Sequence, residues 1–329
     1  MKAMVLHKIG SPLVLEDIPE PTPGNGEIKI KIHVCGICRT DLHVLDGELD
    51  HPTFPIIPGH QIVGTVVELG VGVTRFSLGE RVGVPWLGGS CGTCYYCLKE
   101  RENLCDLAEY TGFRKNGGFA EYTIARADFS FPLPSNYPDL QVAPLLCAGL
   151  IGYRALHMTE GAKQIGFYGF GAAAHILVQI INGKGGEVFA FTKEKDIQGQ
   201  VFAKKMGARW AGGENDVSPI PLDAAILFAP VGSHVPKALK NVKKGGIVVC
   251  AGIHMSDIPQ FPYSLLWEER VVRSVANLTR KDGEEFLKLA SQHSIHTQVT
   301  SYPLEKTNLA LRDLRNGIFK GAAAILFES

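Results

Sequence analysis

A chain of 329 residues has room for about two separately cored domains, so its size requires neither disulfides nor a metal merely to fold. Lys plus Arg and Asp plus Glu balance at 33 each, which removes the electrostatic case for a nucleic-acid or anionic-membrane partner and leaves a small molecule as the expected one. The opening stretch MKAMVLHKIGSPLVLEDIP turns polar too early for an export signal or an anchor, so the expected address is the cytoplasm. Thiols stay reduced there, and the eight cysteines read first as metal ligands or redox groups.

In chain order, the first 150 residues predict short strands: EIKIKIHVCG, QIVGTVVELG, ERVGVPW and FAEYTIA are Val- and Ile-rich runs bounded by Gly and Pro. The stretch APLLCAGLIGYRALH, small-residue and Leu-rich, predicts a helix. After it QIGFYGFG, EVFAFT, DAAILFAP, GIVVCAG and RVVRSVAN predict strands, with helices such as AAAHILVQIINGKG and DIQGQVFAKKMGA between them. That alternation predicts an α/β domain built on a doubly wound parallel sheet with both faces covered. From about 282 the pattern gives two helices, EEFLKLASQH and LEKTNLALRDLRNG, and a closing strand AAAILFE.

Gly169-Phe170-Gly171-Ala172-Ala173-Ala174 is a G-x-G-x-x-A pattern that follows a predicted strand and opens a predicted helix, the setting in which it marks a dinucleotide site. Gly169 permits the tight turn, Gly171 lets backbone approach a pyrophosphate, and the helix start offers N–H groups to the anion. The next strand ends in Thr192-Lys193-Glu194-Lys195, where NAD-binding chains commonly end in an acid. A Thr192 hydroxyl and a Lys193 ammonium suit a 2′-phosphate, which favours NADP(H) over NAD(H), although lysines at 193 and 195 also suit a solvated surface.

GGSCGTCYYCLKERENLC spaces Cys91, Cys94, Cys97 and Cys105 as C-x2-C-x2-C-x7-C. The last cysteine comes too late, and without a following Pro, for the bacterial ferredoxin pattern. A Gly-flanked loop also lacks the strand-to-helix setting of a redox pair. Four thiolates closing a tetrahedron around a structural zinc fit best, holding a lobe at about 88–110 that has too few apolar residues to order itself. Cys38 in CGICRTDLH, His60 in PGHQIVG and Cys147 in LLCAGLIGY form a second, scattered set. Two thiolates, an imidazole and a water make a catalytic zinc arrangement, but sequence separation does not show that these three meet.

The sequence resembles the zinc-dependent medium-chain alcohol dehydrogenases along essentially its whole length. GICRTDLH, GHQIVG, the four-cysteine lobe, CAGLIGYRAL and the Gly-rich loop occur in that family's order. The resemblance implies a GroES-like catalytic domain at 1–150, a Rossmann domain at 151–285 and a return to the catalytic domain at 286–329. It implies two zinc ions per subunit, the catalytic one held by Cys38, His60 and Cys147. Asp41 would orient the ligand imidazole, Arg39 would face the cofactor phosphates, and Trp86 would line the substrate pocket. Thr40 and His43 would carry the proton away while hydride passes between the alcohol carbon and the nicotinamide. Gln61 stands where the family commonly has Glu, which puts carboxylate-assisted exchange at the metal in question. Relatives place the cysteine lobe near subunit contacts, implying a homo-oligomer, tetramer or dimer.

Two other readings stay open at this level. One is a same-fold reductase of unsaturated carbonyls; the other is a non-catalytic NADPH-binding zinc protein or redox sensor, which would have no chemical reason to assemble Thr40 and His43 beside an open metal position. Cys35 and Cys250 lie in apolar runs and read as packing, and no motif selects His51 or most of the remaining histidines. His254 follows a predicted Rossmann strand, where loops face a cofactor.

Overall fold

The computed structural model describes residues 1–50 and 52–327; His51, Glu328 and Ser329 lie outside the described residues. The chain begins with β1 (Lys2–Val5), β2 (Val14–Asp17), β3 (Glu27–Ile37), helix α1 (Arg39–Asp46), β4 (Gln61–Leu69), β5 (Arg81–Val84), β6 (Leu87–Gly89), β7 (Glu109–Tyr110), β8 (Tyr122–Arg126), β9 (Phe131–Pro132) and α2 (Asp139–Val142). Helix α3 (Ala148–His157) leads into alternating β10 (Gln164–Tyr168), α4 (Ala172–Gly183), β11 (Glu187–Thr192), α5 (Ile197–Lys205), β12 (Trp210–Gly213), β13 (Leu222–Leu227), α6 (His234–Asn241), β14 (Val242–Cys250) and β15 (Val271–Ser274). The last stretch is α7 (Arg280–Gln292), β16 (Val299–Tyr302), α8 (Thr307–Asn316) and β17 (Ala322–Leu326).

Two compact units result, Met1–Leu150 with Leu278–Ser329, and Ile151–Asn277. The chain thus re-enters the first unit at Leu278, just ahead of α7, rather than at 286. In the first unit a seven-stranded sheet runs β16-β17-β3-β4-β5-β9, with β8 also paired to β3. Its longest strand alternates as a half-buried strand must: Ile28, Ile30, Ile32 and Val34 of β3 are all at or below 2% exposure, with polar residues between them. In the second unit the order β12-β11-β10-β13-β14-β15 is parallel throughout. Its inner strands are near-continuous apolar runs, because helices cover both faces. The strand order reverses between β10 and β13, the place where such sheets bind nucleotides.

Several short elements depart from the sequence expectation, among them the helix that precedes the second unit and one strand within that unit. APLLCAGLIGYRALH is not one helix: a 3-10 turn at Ala143–Leu146 ends at Cys147 (φ −131°, ψ −73°), and α3 starts only after it. Pro144 lacks an N–H and suits the first turn of a short segment, not the interior of a long helix. β12 was not anticipated, since WAGG offers four residues and two glycines where a strand usually declares itself by branched side chains.

The segment leading to Cys147 is pinned at Asp139. Arg81 Nε donates to its Oδ1 at 2.5 Å, and His33 Nδ1 to its Oδ2 at 2.7 Å. The His33 hydrogen bond and then Arg81 hold the Asp139 carboxyl below the usual carboxylate range, against the cost of burial. A depressed folded-state pKa means that the unfolded chain binds the proton first, so this stabilisation is full above the ordinary Asp value, declines below it, and is lost as pH falls through the lower folded-state value. Asp139→Asn should therefore lower the melting temperature at pH 7 by a few degrees, about 1 kcal/mol. The gap to the parent should begin to narrow as melts are taken below about pH 4 and close only under the depressed folded-state value; a gap constant with pH would refute the pairing.

Candidate active site and metal centres

The β-sheet register itself joins the first two members of the scattered set. β3 and β4 are antiparallel with Gly36 opposite Gln61, so Cys38, just past the end of β3, faces His60, just before the start of β4. Gly59 makes the approach possible: its φ is +95°, and a Cβ there would fall 2.7 Å from the Phe119 ring and 2.8 Å from Cys35 Sγ. The third member arrives from the 3-10 turn, which packs on β3, β4 and β17. Cys38 Sγ lies 3.2 Å from His60 Nε2 and 3.7 Å from Cys147 Sγ.

Asp41 ties the set together. Cys38 is the N-cap of α1 and Asp41 is its third residue, so the Cys38 N–H donates to Asp41 Oδ2 at 2.8 Å in a reciprocal capping box. The other oxygen, Oδ1, accepts from His60 Nδ1 at 3.1 Å, which leaves Nε2 aimed at the sulfurs. Both side chains are 1% exposed.

The members of this cluster perturb one another strongly. The hydrogen bond from Cys147, helped by His60 and Thr40 against burial, holds the Cys38 thiol well below its ordinary range, while the same bond and burial hold Cys147 well above. Burial alone would lower His60, yet the Cys38 sulfur and the Asp41 carboxylate raise it to about 10. Burial also raises Asp41. The donor set fits zinc: the edge of a tetrahedron with Zn–S bonds of about 2.3 Å is about 3.8 Å, close to the spacing of the two sulfurs.

The cysteine lobe meets the same test. Cys91 and Cys97 Sγ are 3.9 Å apart, Cys94 and Cys97 3.6 Å, Cys91 and Cys105 3.5 Å. Backbone N–H groups of Thr93 and Cys94 lower the Cys91 thiol to about 6, and burial raises Cys105 to about 11. Among the described residues these are the two groups of three or more His, Cys, Asp or Glu whose ligand atoms all lie within 4.8 Å of one another.

Around the scattered set, Trp86 is buried with its ring edge-on to His60 at 5.0 Å and stacked on Tyr110 and Phe113. Gln61 is buried against Gly36, and its Nε2 has no hydrogen-bond partner among the described residues. Arg39 is exposed at the first position of α1, and Thr40 is half-buried, its N–H donating to Cys38 Sγ at 3.4 Å. His43 follows one turn later on the same helix face, buried, with Nδ1 bonded to the exposed Glu48 carboxylate. Glu48 was not singled out by any motif; its signal is only that it follows the helix-ending Gly47, which turns the chain back so that the Glu48 N–H caps the His43 carbonyl at 3.0 Å.

In the second unit, Gly169 has φ +92° with Ala229 3.0 Å from where a Cβ would sit, and its N–H donates to Phe191 O at 2.8 Å. Gly171 is the N-cap of α4, has no side-chain cap, and a Cβ there would meet nothing within 4 Å. An uncapped helix start with room above it fits the pyrophosphate of a dinucleotide. Phe170 lies edge-on to Phe202 at 5.9 Å, and Ala172 begins the helix. Thr192 corrects the sequence reading in one respect: it is buried, and its hydroxyl donates to the carbonyls of Gly212 and Lys193, both at 3.3 Å, so the backbone already takes the proton intended for a phosphate. Lys193 and Lys195 are exposed, as is His254. Cys35 and Cys250 are buried, and burial raises both thiols.

A β-rich unit with a three-ligand metal set and a four-cysteine lobe, interrupted by a doubly wound nucleotide-binding unit, defines a medium-chain dehydrogenase. Residues 24–135 match the alcohol dehydrogenase GroES-like domain. The chain is 44% identical over 317 residues to a probable alcohol dehydrogenase, AdhA, of Mycobacterium tuberculosis, covering 94% of this chain and 90% of that one. It is 34% identical over 343 residues to an alcohol dehydrogenase of Geobacillus stearothermophilus, covering 99% of each. Among solved structures, a cinnamyl alcohol dehydrogenase from Sorghum bicolor superposes with a TM-score of 0.90 at 25% identity, covering 98% of this chain and 96% of that one. The chain belongs to the zinc-dependent medium-chain alcohol dehydrogenase family. Its activity is that of an alcohol dehydrogenase. No helix among the described residues is long and apolar enough to cross a membrane.

Proposed function

We propose that the protein transfers hydride reversibly between a small primary or secondary alcohol, or its aldehyde or ketone, and a pyridine nucleotide, with NADP(H) preferred. The observation that carries this reading is the convergence of Cys38, His60 and Cys147 on one point, a donor set that fills three corners of a zinc tetrahedron and leaves the fourth for substrate. When bound, zinc supplies Lewis acidity at that corner and the nicotinamide supplies or accepts the hydride. Asp41 fixes the His60 tautomer so that Nε2 is the ligand atom. Thr40 Oγ1 handles the substrate proton first. By way of the cofactor ribose it passes to His43, whose Nδ1 is bonded to the exposed Glu48 carboxylate, a route toward solvent. Trp86 supplies a bulky apolar wall beside His60.

The nucleotide preference is supported by Thr192, in place of an acid, as the last residue of β11 and by the exposed Lys193 and Lys195 that follow. A homo-oligomer, dimer or tetramer, is supported by Tyr95, Leu98 and Leu107, which stand about two-thirds exposed on the cysteine lobe. A cytoplasmic setting suits eight cysteines that are all free.

The test is a panel of alcohols, aldehydes and ketones assayed with both nucleotides at the nicotinamide absorbance. Turnover with NADP(H) should exceed that with NAD(H), and a panel without turnover would remove the reading. Lys193→Ala should raise the KM for NADPH about tenfold while changing that for NADH by less than about twofold. Equal changes in both would count against a phosphate contact.

A further inference from the structure

The tips of β11 and β12 carry three carboxylates, Glu194, Glu214 and Asp216, beside the lysines at 193 and 195. Each acid is engaged within the second unit. Glu214 accepts from His234 Nε2 at 2.8 Å and Lys237 Nζ at 3.2 Å, and Asp216 accepts from the Gly213 N–H at 2.7 Å. Glu194 shares a turn with the two lysines, and its Oε1 accepts from both the Asn215 backbone N–H at 3.0 Å and Asn215 Nδ2 at 2.7 Å. The carboxylate is laid across Gly213, where a Cβ would fall 2.8–2.9 Å from its atoms, so a glycine at the end of β12 is what admits it.

We propose that Asn215 decides nucleotide preference by drawing the Glu194 carboxylate onto β12, so that the lysines rather than the acid present their charge at the tip of β11. This rests on the reading that the adenosine ribose binds at that tip, and it goes further by naming a positioning residue. A carboxylate two residues past the strand end would accept the ribose hydroxyls of NAD(H) and repel the 2′-phosphate of NADP(H). Two N–H donors on one oxygen hold it elsewhere. Only Nδ2 belongs to the side chain: truncating this exposed residue removes the shorter of the two bonds, leaves the backbone N–H in place, and removes no core packing.

The experiment uses the full chain and measures Kd for NADPH and NADH by nicotinamide fluorescence in the absence of substrate. Asn215→Ala, which removes the Nδ2 bond and leaves the backbone one, should raise the Kd for NADPH about threefold and leave that for NADH unchanged or lower, an effect that shrinks as salt is added. Adding Glu194→Gln to Asn215→Ala should restore the parent ratio, because the released side chain no longer carries charge. A Kd ratio that stays constant in Asn215→Ala, or one that Glu194→Gln fails to restore, overturns the proposal. The parent's own ratio tests the NADP(H) preference separately, since the latch is read from the change in ratio whichever nucleotide the parent favours.

Discussion

Cys38→Ser should lower kcat/KM for alcohol oxidation by at least about 10³-fold, a loss of about 4 kcal/mol in transition-state stabilisation. Zinc content should fall from two ions per chain, one for each ligand group, to one. The substitution is chosen because position 38 does two jobs that serine separates. As the N-cap of α1 it must offer an acceptor to the helix start, and Ser is among the best residues for that, so α1 and the Asp41 capping box should persist. As a metal ligand it must offer a thiolate, which a hydroxyl does not replace. Unchanged circular dichroism together with lost turnover is the expected pair of results. Turnover at the parent rate, or full zinc content, would sink the proposed mechanism.

Cys94→Ser should leave the catalytic ligands alone and act on stability, lowering the melting temperature by about 10 °C and opening the lobe to protease. The lobe's side chains cannot compensate: Tyr95, Leu98 and Leu107 point to solvent, so the sulfurs are what gather the loop. The damage should not stay local. Glu102 is 3% exposed within the lobe, and its carboxylate accepts from the Arg280 N–H at 2.8 Å and from Arg280 Nε at 3.2 Å, at the first residue of α7. Loosening the lobe removes an anion from the positive end of that helix. A chelator that empties the lobe should reproduce the shift, whereas a melting curve equal to the parent's with normal zinc content would rule the role out.

Much of the architecture was legible because period-two alternation in β3 and unbroken apolar runs in β10 and β13 are direct consequences of how sheets are covered. β12 was not, because its placement depends on pairing with β11 rather than on its own four residues. Within the site, residue types announced themselves but contacts did not. That Cys38 meets His60 follows from the β3–β4 register, and that Cys147 joins them follows from a helix broken at that residue; neither is a property of any short window. Glu48 escaped notice because its partner becomes a neighbour only when Gly47 turns left-handed. Thr192 was misjudged in its hydrogen bonding because a strand end looks exposed in sequence, while the adjacent β12 covers it.

One carboxylate, that of Asp41, serves two masters: a helix terminus through Cys38 and a ring orientation through His60. Any exchange at position 41 is therefore a simultaneous edit of scaffold and chemistry, and an engineer cannot dial one without the other. Retuning this centre has to begin from the aromatic side, where Trp86 borders the imidazole without holding it by hydrogen bonds.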